Sequence, residues 1–117
     1  MASKVTIYHN PRCSKSRQTL ELIRDRGLEP EIVEYLKDAP TADELRAILK
    51  KLKLGARAIL RTGEAVYREL GLADPTLSED ELVAAMAANP VLIERPIVVR
   101  GARAALGRPP EAVLSLL

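Results

Sequence analysis

Hydrophobic and polar residues alternate at the start of the chain and then change to a helical spacing. The run Val5 to Tyr8 alternates apolar with semi-polar residues, as a half-buried strand does, and Asn10-Pro11 favours a turn. From Ser14 to Gly27 the apolar positions recur at helical spacing, and the closing Gly suits a helix end. Alternation returns in Glu31 to Leu36. The opening third therefore predicts a strand, a helix and a second strand parallel to the first.

The middle of the chain is predicted to be helical. "TADE" at Thr41 to Glu44 and "SEDE" at Ser78 to Glu81 both have the spacing of a capping box. We expect the second of these helices to run to about Ala88. Glycines between the two boxes divide that segment into short turns and helices.

The last part of the chain returns to strand patterning. "RPIVVRGARAAL" predicts two strands joined at Arg100-Gly101, and "GRPPEAVLSLL" predicts a final helix with Pro at its start. The resulting order is strand-helix-strand, helices, strand-strand-helix, which is the order of the thioredoxin fold. We predict an α/β chain with a thioredoxin-like, four-stranded mixed sheet and a helical insertion before the third strand. It is expected to form one domain over residues 1–117.

Composition and charge narrow the classes of function. A length of 117 residues suits one domain, and the absence of Trp and Phe predicts a small, aliphatic core. The net charge of +2 is mild and the basic residues are scattered, which argues against non-specific nucleic-acid binding. No apolar stretch reaches the roughly 20 residues of a membrane span, and no signal-peptide core is present. We expect a cytoplasmic protein that binds neither nucleic acid nor membrane.

The single cysteine, Cys13, directly precedes the first predicted helix. A lone Cys is commonly a small buried hydrophobe, and it excludes an internal disulfide, in keeping with a reducing compartment. At a helix N-terminus, however, unpaired backbone N–H groups favour an anion, and Arg12, Lys15 and Arg17 add positive charge. We therefore predict a thiol pKa below the usual value of about 8.5 and a nucleophilic thiolate beside an anion site.

The single histidine, His9, lies at the end of the first predicted strand, just before this cysteine. We assign this histidine, like Cys13, to the candidate catalytic residues. A lone His at a strand end is commonly bonded to a loop carbonyl, so we favour an orienting role over direct proton transfer. Asn10 suits the turn because its side chain can bond nearby backbone. One Cys and one His cannot form a zinc site, so we expect no metal.

Three sequence blocks resemble one known family. "YHNPRCSKSR" near the start, "ERPIVV" at Glu94 to Val99 and "GRPPE" at Gly107 to Glu111 are similar, in order and spacing, to the signature blocks of the glutaredoxin-coupled arsenate reductases. The match spans Lys4 to Leu117. The chain resembles a short form of that family, without the C-terminal tail of its best-studied members. Its "CSKS" stands where those members read Cys-Gly-Thr-Ser, a change that we expect to alter loop flexibility and anion affinity.

The resemblance implies which residues form the site. It assigns the catalytic cysteine to Cys13, the neighbouring histidine to His9, and three substrate-binding arginines to Arg61, Arg95 and Arg108. Position supports two of these, because Arg95 precedes Pro96 where thioredoxin-like folds place a cis-proline loop, and Arg108 opens the last helix nearby. Arg61 depends mainly on the resemblance, since its context also fits an exposed helix end. Loop support is assigned to Asn10, Ser14, Ser16 and Pro96. Most other arginines, Arg57 and Arg103 among them, are expected to be solvated.

The resemblance also implies a reaction. The Cys13 thiolate attacks As(V) of arsenate and displaces water, which forms a covalent thiol–arsenate adduct held by the arginines. Because the chain has no second thiol, glutathione attacks the adduct as co-substrate, arsenite leaves, and glutaredoxin clears the mixed disulfide. The implied partners are arsenate, glutathione and glutaredoxin, with no bound cofactor. We expect a monomer.

Two other classes of function stay open. Cys13 and Ser16 have the Cys-x-x-Ser spacing of a monothiol glutaredoxin-like thioltransferase, although such proteins have an uncharged residue where this chain has Arg95. An Spx-type regulator that binds RNA polymerase shares the fold, but Asn10 occupies the first position of the usual Cys-x-x-Cys switch. Arsenate-dependent turnover separates the three.

Overall fold

Four strands from the two ends of the chain form one sheet. The computed structural model describes residues 4–117. β1 (Val5–His9) and β2 (Glu31–Glu34) come early, and β3 (Ile97–Arg100) and β4 (Arg103–Leu106) come late. The order across the sheet is β2-β1-β3-β4, with β1 parallel to β2 and the β1–β3 and β3–β4 pairs antiparallel. The predicted four-stranded mixed sheet is confirmed.

Helices occupy the connections between these strands. The α-helices are α1 (Ser14–Asp25), α2 (Ala42–Leu52), α3 (Ala65–Glu69) and α4 (Glu79–Ala88). Short 3₁₀ helices cover Ala56–Ile59, Pro90–Leu92 and Pro110–Leu116. The segment from α2 to α4 lies between β2 and β3 in the chain, which confirms the predicted helical insertion. No helix within residues 4–117 is long and apolar enough to cross a membrane.

The chain divides into two compact units. The first contains the chain up to Asp38 together with Arg95–Leu117, and so holds the sheet and α1. The second contains Ala39–Glu94 and holds α2, α3 and α4. The expectation of one domain over residues 1–117 stays a prediction.

The core of the first unit explains the alternation along β1. Val5, Ile7 and His9 are buried, whereas Thr6 and Tyr8 between them are half-buried. The buried cluster consists of Val5, Ile7, Ile23, Val98, Val113 and Leu116. Each such aliphatic side chain contributes about 1.5–3 kcal/mol when fully buried. This packing holds α1 against the sheet and so fixes the loop between β1 and α1.

Both predicted capping boxes are present in the second unit. The N–H of Glu44 donates to Oγ1 of Thr41, and the N–H of Thr41 donates back to the Glu44 carboxylate, each at 3.1 Å. Ser78 and Glu81 repeat the arrangement at the start of α4. Each box satisfies two backbone donors that the first helical turn leaves unpaired.

Two strand boundaries differ from the sequence predictions. β2 ends at Glu34 rather than Leu36, because the chain turns there and the N–H of Lys37 donates to the Glu34 carbonyl at 2.9 Å. The hairpin turn lies one residue later than predicted, since Arg100 still pairs with Arg103 across the two strands.

The final helix is a 3₁₀ helix, which sequence reasoning did not distinguish from an α-helix. Its buried residues are Pro110, Val113 and Leu116. They recur at every third position, which is the period of a 3₁₀ helix and places all three on one face. That face joins the core of the first unit through Val113 and Leu116.

Candidate active site

Cys13 is the N-cap residue of α1, at the end of the loop that leaves β1. Its backbone is extended, with φ −95° and ψ 122°. Its N–H donates to the carbonyl of Asn10 at 3.0 Å, and its own carbonyl accepts from the N–H of Arg17 at 3.0 Å. Only 9% of the residue is exposed. The residue is therefore largely screened from water and lies at the positive end of the helix.

The surroundings of Cys13 favour its thiolate form. Burial raises the pKa of the thiol, because it disfavours the charged form. The backbone N–H groups of Ser16 and Lys15 and the charges of Arg95 and Arg108 lower that pKa, and together they outweigh the burial. The pKa of Cys13 therefore lies below its ordinary value, as the sequence predicts.

The charges that act on Cys13 differ in part from those proposed from the sequence. Lys15 acts through its backbone N–H rather than its ammonium group. Arg17 instead holds the loop, because its Nη1 donates to the Pro11 carbonyl at 2.9 Å. The guanidinium groups that lower the thiol pKa belong to Arg95 and Arg108, which are distant in sequence and come close only through the fold.

The loop before Cys13 is braced by its own side chains. Oδ1 of Asn10 accepts from the N–H of Arg12 at 3.0 Å, which confirms the predicted Asn10 turn. The Asn10 N–H in turn donates to Oγ of Ser16 at 3.0 Å. Ser14 is exposed at the first position of α1. Asn10 and Ser16 therefore support the loop directly through hydrogen bonds.

His9 bonds to Ser16 beneath this loop. Nδ1 of His9 and Oγ of Ser16 are 2.6 Å apart, and both residues are buried. The partner is a hydroxyl on the first turn of α1, not the loop carbonyl that sequence reasoning suggests. Ser16 thus contacts His9 and Asn10 through its side chain, while its backbone N–H acts on the Cys13 thiol.

The imidazole of His9 is mainly neutral at pH 7. Burial lowers its pKa below the ordinary value of 6.5. Glu34 raises the pKa, whereas Arg17 and Arg24 lower it, and burial is the largest of these effects. A neutral ring bonded to Ser16 is suited to positioning the loop.

Arg95 and Arg108 belong to two neighbouring loops, each followed by a cis-proline. The Arg95-Pro96 peptide bond is cis, as the position of this proline predicts, and the Arg108-Pro109 bond is also cis. Nη1 of Arg108 donates to the carbonyl of Arg95 at 3.3 Å. The structure therefore brings these two predicted arginines together, and both charges act on Cys13.

Arg61 lies in the second unit and is half-buried. It follows the isolated bridge between Leu60 and Ile93, so it is not at the exposed helix end that its sequence context suggests. Its Nη1 is 3.1 Å from the Glu64 carboxylate, and its Nε is 4.0 Å from that of Glu94. Its predicted part in substrate binding stays a prediction.

Arg57 is exposed, as expected, and its guanidinium also braces the second unit. Its Nη1 donates to the carbonyl of Leu72 at 2.9 Å and its Nη2 to that of Asp74 at 2.6 Å. A guanidinium can hold two backbone carbonyls because its donors are fixed in a planar fork. Arg103 is exposed, as expected.

Thr19 and Gly107 support the site and were missed by sequence reasoning. Thr19 is buried in α1, and its Oγ1 donates to the Lys15 carbonyl at 2.8 Å. Gly107 is buried beside it, and its N–H donates to the Pro96 carbonyl at 2.9 Å. A glycine directly before Arg108, at the end of a predicted strand, was the one available signal. No group of three or more His, Cys, Asp or Glu residues that could hold a metal occurs within residues 4–117.

Comparison with known proteins finds relatives over nearly the whole chain. The sequence model of the ArsC family matches residues 8–116. The arsenate reductase of Escherichia coli K12 is 47% identical over 115 residues, which cover 98% of this chain and 82% of that protein. An uncharacterised protein of the same organism, YfgD, is 52% identical over 118 residues, which cover 100% of this chain and 99% of that protein.

A solved structure agrees with these sequence comparisons. The arsenate reductase from Vibrio cholerae superimposes with a TM-score of 0.96 at 50% sequence identity, covering 100% of both chains. The predicted α/β fold, with its helical insertion, is confirmed by this match.

Proposed function

This chain belongs to the ArsC family, and on that premise we propose that it reduces arsenate to arsenite, with Cys13 as the nucleophile and glutathione as the reductant. Relatives named arsenate reductase support an oxidoreductase. The observation that carries the proposal is the lone thiol at the N-terminus of α1, whose pKa is lowered by backbone N–H groups and by Arg95 and Arg108. A tetrahedral oxyanion is attracted by the same groups.

In the first step, the Cys13 thiolate attacks the arsenic atom of arsenate. A sulfur–arsenic bond forms while one arsenic–oxygen bond breaks, and the departing oxygen takes up protons and leaves as water. Arg95 and Arg108 hold the remaining oxygens, because their planar donors can bind oxyanions bidentately. Arsenic is still As(V) in the resulting adduct.

In the second step, the thiolate of glutathione attacks the Cys13 sulfur of the adduct. A sulfur–sulfur bond forms and the sulfur–arsenic bond breaks, with its electron pair passing to arsenic. Arsenic becomes As(III) and leaves as arsenite, while Cys13 is left in a mixed disulfide. The thiol of glutaredoxin then attacks the glutathione sulfur and releases Cys13 as thiolate.

The remaining predicted residues have supporting parts in this scheme. Ser16 and His9 position the loop, and their buried hydrogen bond supports that role. Arg61 is proposed to help bind arsenate, an assignment that rests on the family resemblance alone. We place the protein in the cytoplasm, because a lone thiol that depends on glutathione requires a reducing compartment. The proposal also takes the protein to be a monomer without a bound cofactor.

The test is a coupled assay with glutathione, glutaredoxin, glutathione reductase and NADPH. Arsenate-dependent oxidation of NADPH is the expected result, and the Cys13→Ser variant should lose it. Absence of arsenate-dependent oxidation in the wild-type protein, with each coupling enzyme shown to be active, would overturn the proposal.

A monothiol thioltransferase is the second candidate. The observation in its favour is that Cys13 and Ser16 share the first turn of α1, with the Ser16 backbone N–H acting on the thiol. Arg95 before the cis-proline argues against it, because this site then favours a compact oxyanion over an uncharged peptide backbone. The same assay separates the two when arsenate is replaced by a glutathione mixed disulfide.

A further inference from the structure

A cavity of about 190 Å³ opens beside the loop that carries Cys13. It is lined by residues 9–12 of that loop and by Glu34, Leu36 and Lys37, and is called here the β2-side pocket. β1 and β2 are parallel, with His9 opposite Glu34 in their register. The carboxyl ends of both strands therefore meet at the pocket, and ligands of open α/β sheets bind at this edge.

The β2-side pocket combines both signs of charge with an apolar wall. Arg12 and Lys37 are exposed cations, and Glu34 supplies a carboxylate. Nζ of Lys37 is 3.8 Å from Oε1 of Glu34, a loose and exposed pair that contributes little to stability, so a charged ligand can replace it. Leu36, 45% exposed, provides apolar contact. The pocket suits a small zwitterion with carboxylates, an ammonium group and a short apolar stem.

The pocket and the two arginines lie on opposite sides of β1 in the sheet. β2 is on one side of β1, whereas β3, which follows Arg95, and β4, which precedes Arg108, are on the other. In the proposed adduct, arsenic lies toward these arginines. Displacement at a divalent sulfur is collinear, so the attacking thiolate must approach Cys13 from the side opposite arsenic. A reductant that extends toward Cys13 from the β2-side pocket, whose lining includes the preceding residue Arg12, would make this approach.

We propose that the β2-side pocket binds the external reductant, a small peptide thiol with free carboxylate and ammonium groups, of which glutathione is the example. This inference rests on the proposed function. From the pocket, the thiolate forms a sulfur–sulfur bond with Cys13 as the sulfur–arsenic bond breaks and its electron pair reduces As(V) to As(III). Lys37 and Arg12 bind the carboxylates, and Glu34 binds the ammonium group.

Steady-state kinetics of the charge-reversal variant Lys37→Glu tests the pocket. The KM for glutathione is expected to rise about tenfold, while the KM for arsenate changes less than about twofold, because only one of the two substrates contacts Lys37. Lys50→Glu is the matched control, since Lys50 is an exposed lysine of α2 in the other unit. An unchanged KM for glutathione, or an equal rise in Lys50→Glu, would overturn the proposal.

Binding of S-methylglutathione separates this proposal from the arsenate reaction itself. The methylated thiol cannot react, so NMR titration of the wild-type protein reports binding whether or not arsenate is reduced. Shifts of the backbone amides of residues 9–10, 12 and 34–37, lost in Lys37→Glu, would support the pocket. Shifts confined to Arg95 and Arg108, or none at millimolar ligand, would contradict it even if the coupled assay shows arsenate turnover.

Discussion

Gly107 lies against Pro96 with no room for a side chain between them. A Cβ at Gly107 would lie 2.6 Å from Cγ of Pro96 and 2.5 Å from Oγ1 of Thr19. The two residues are also joined by the 2.9 Å hydrogen bond from the Gly107 N–H to the Pro96 carbonyl. This close approach fixes the loop of Arg95 relative to that of Arg108, so the arginine pair depends on a residue that has no side chain.

Replacing Gly107→Ala should therefore destabilise the protein and impair the site. Because a proline ring and a buried Thr19 have little freedom to move away, overpacking is expected to lower the free energy of unfolding by about 1–3 kcal/mol. The kcat/KM for arsenate should fall as well, because Arg95 and Arg108 are displaced. Urea unfolding and steady-state kinetics measure the two effects.

Gly63→Ala is the matched control for this substitution. A Cβ at Gly63 would meet nothing within 4 Å, and its φ is not in the left-handed region. Its free energy of unfolding should stay within about 0.5 kcal/mol of the wild-type value. Equal stability of the Gly107 and Gly63 variants would show that the close approach to Pro96 is absent.

The lowered pKa of Cys13 predicts the pH dependence of its reactivity. The rate of alkylation by iodoacetamide should rise with pH along a titration curve whose midpoint lies below the ordinary pKa of a cysteine thiol, because only the thiolate reacts. Sulfate or phosphate should slow alkylation by occupying the anion site. Cys13→Ser is the control and should show neither alkylation nor turnover while remaining folded. A midpoint at the usual value, with no protection by anions, would favour a purely structural cysteine.

Local sequence signals predicted much of this structure because the physics behind them is local. The hydrogen bonds of a capping box such as Thr41-Glu44 join residues of a single helical turn. The hydrogen bond of the Asn10 turn likewise joins residues within a three-residue segment. Cys13 at the helix N-terminus belongs to the same class, since the helix itself provides the N–H groups that act on the thiol.

Contacts between distant segments could not be predicted in the same way. Thr19 and Gly107 meet only after α1 packs on the sheet, and no local pattern records that distance. Arg57 resembles any exposed arginine in sequence, and its role as a brace depends on where the carbonyls of Leu72 and Asp74 lie. The β2-side pocket likewise requires the register that places His9 opposite Glu34.

Stability should fall on acidification through the titration of His9. Burial lowers the His9 pKa in the folded state, so below about pH 6.5 the unfolded chain binds more protons than the folded one. The free energy of unfolding should therefore decrease as the pH falls from 6.5 toward the folded-state pKa. His9→Gln removes this contribution and should flatten that part of the curve. If the free energy of unfolding of the wild-type protein fell with pH no more steeply than that of His9→Gln, the imidazole would not be buried and neutral in the folded state.

The hydrogen bond between His9 and Ser16 predicts an effect on the pKa of the Cys13 thiol. Ser16→Ala removes the hydroxyl that bonds the imidazole and the Asn10 N–H, leaving a buried imidazole and a partly buried N–H without this partner. We expect a loss of about 1–3 kcal/mol in the free energy of unfolding. The midpoint of Cys13 alkylation should also rise, because the Ser16 backbone N–H is held less firmly toward the sulfur. Gln18→Ala, at an exposed position of the same helix, should change neither quantity.

Substitution of the arginines tests the proposed oxyanion site most directly. Arg95→Ala and Arg108→Ala should each cost about 2–4 kcal/mol of transition-state stabilisation, the range for loss of a preorganised oxyanion contact. Arg95→Lys should fall between the wild type and Arg95→Ala, because lysine restores the charge but not the planar fork. Arg61→Ala is expected to behave like these two variants if the family resemblance holds for that position. Arg103→Ala is the control, since Arg103 is exposed on β4. If its kcat/KM for arsenate falls as far as that of Arg95→Ala, the protein has a diffuse basic surface and no specific oxyanion site.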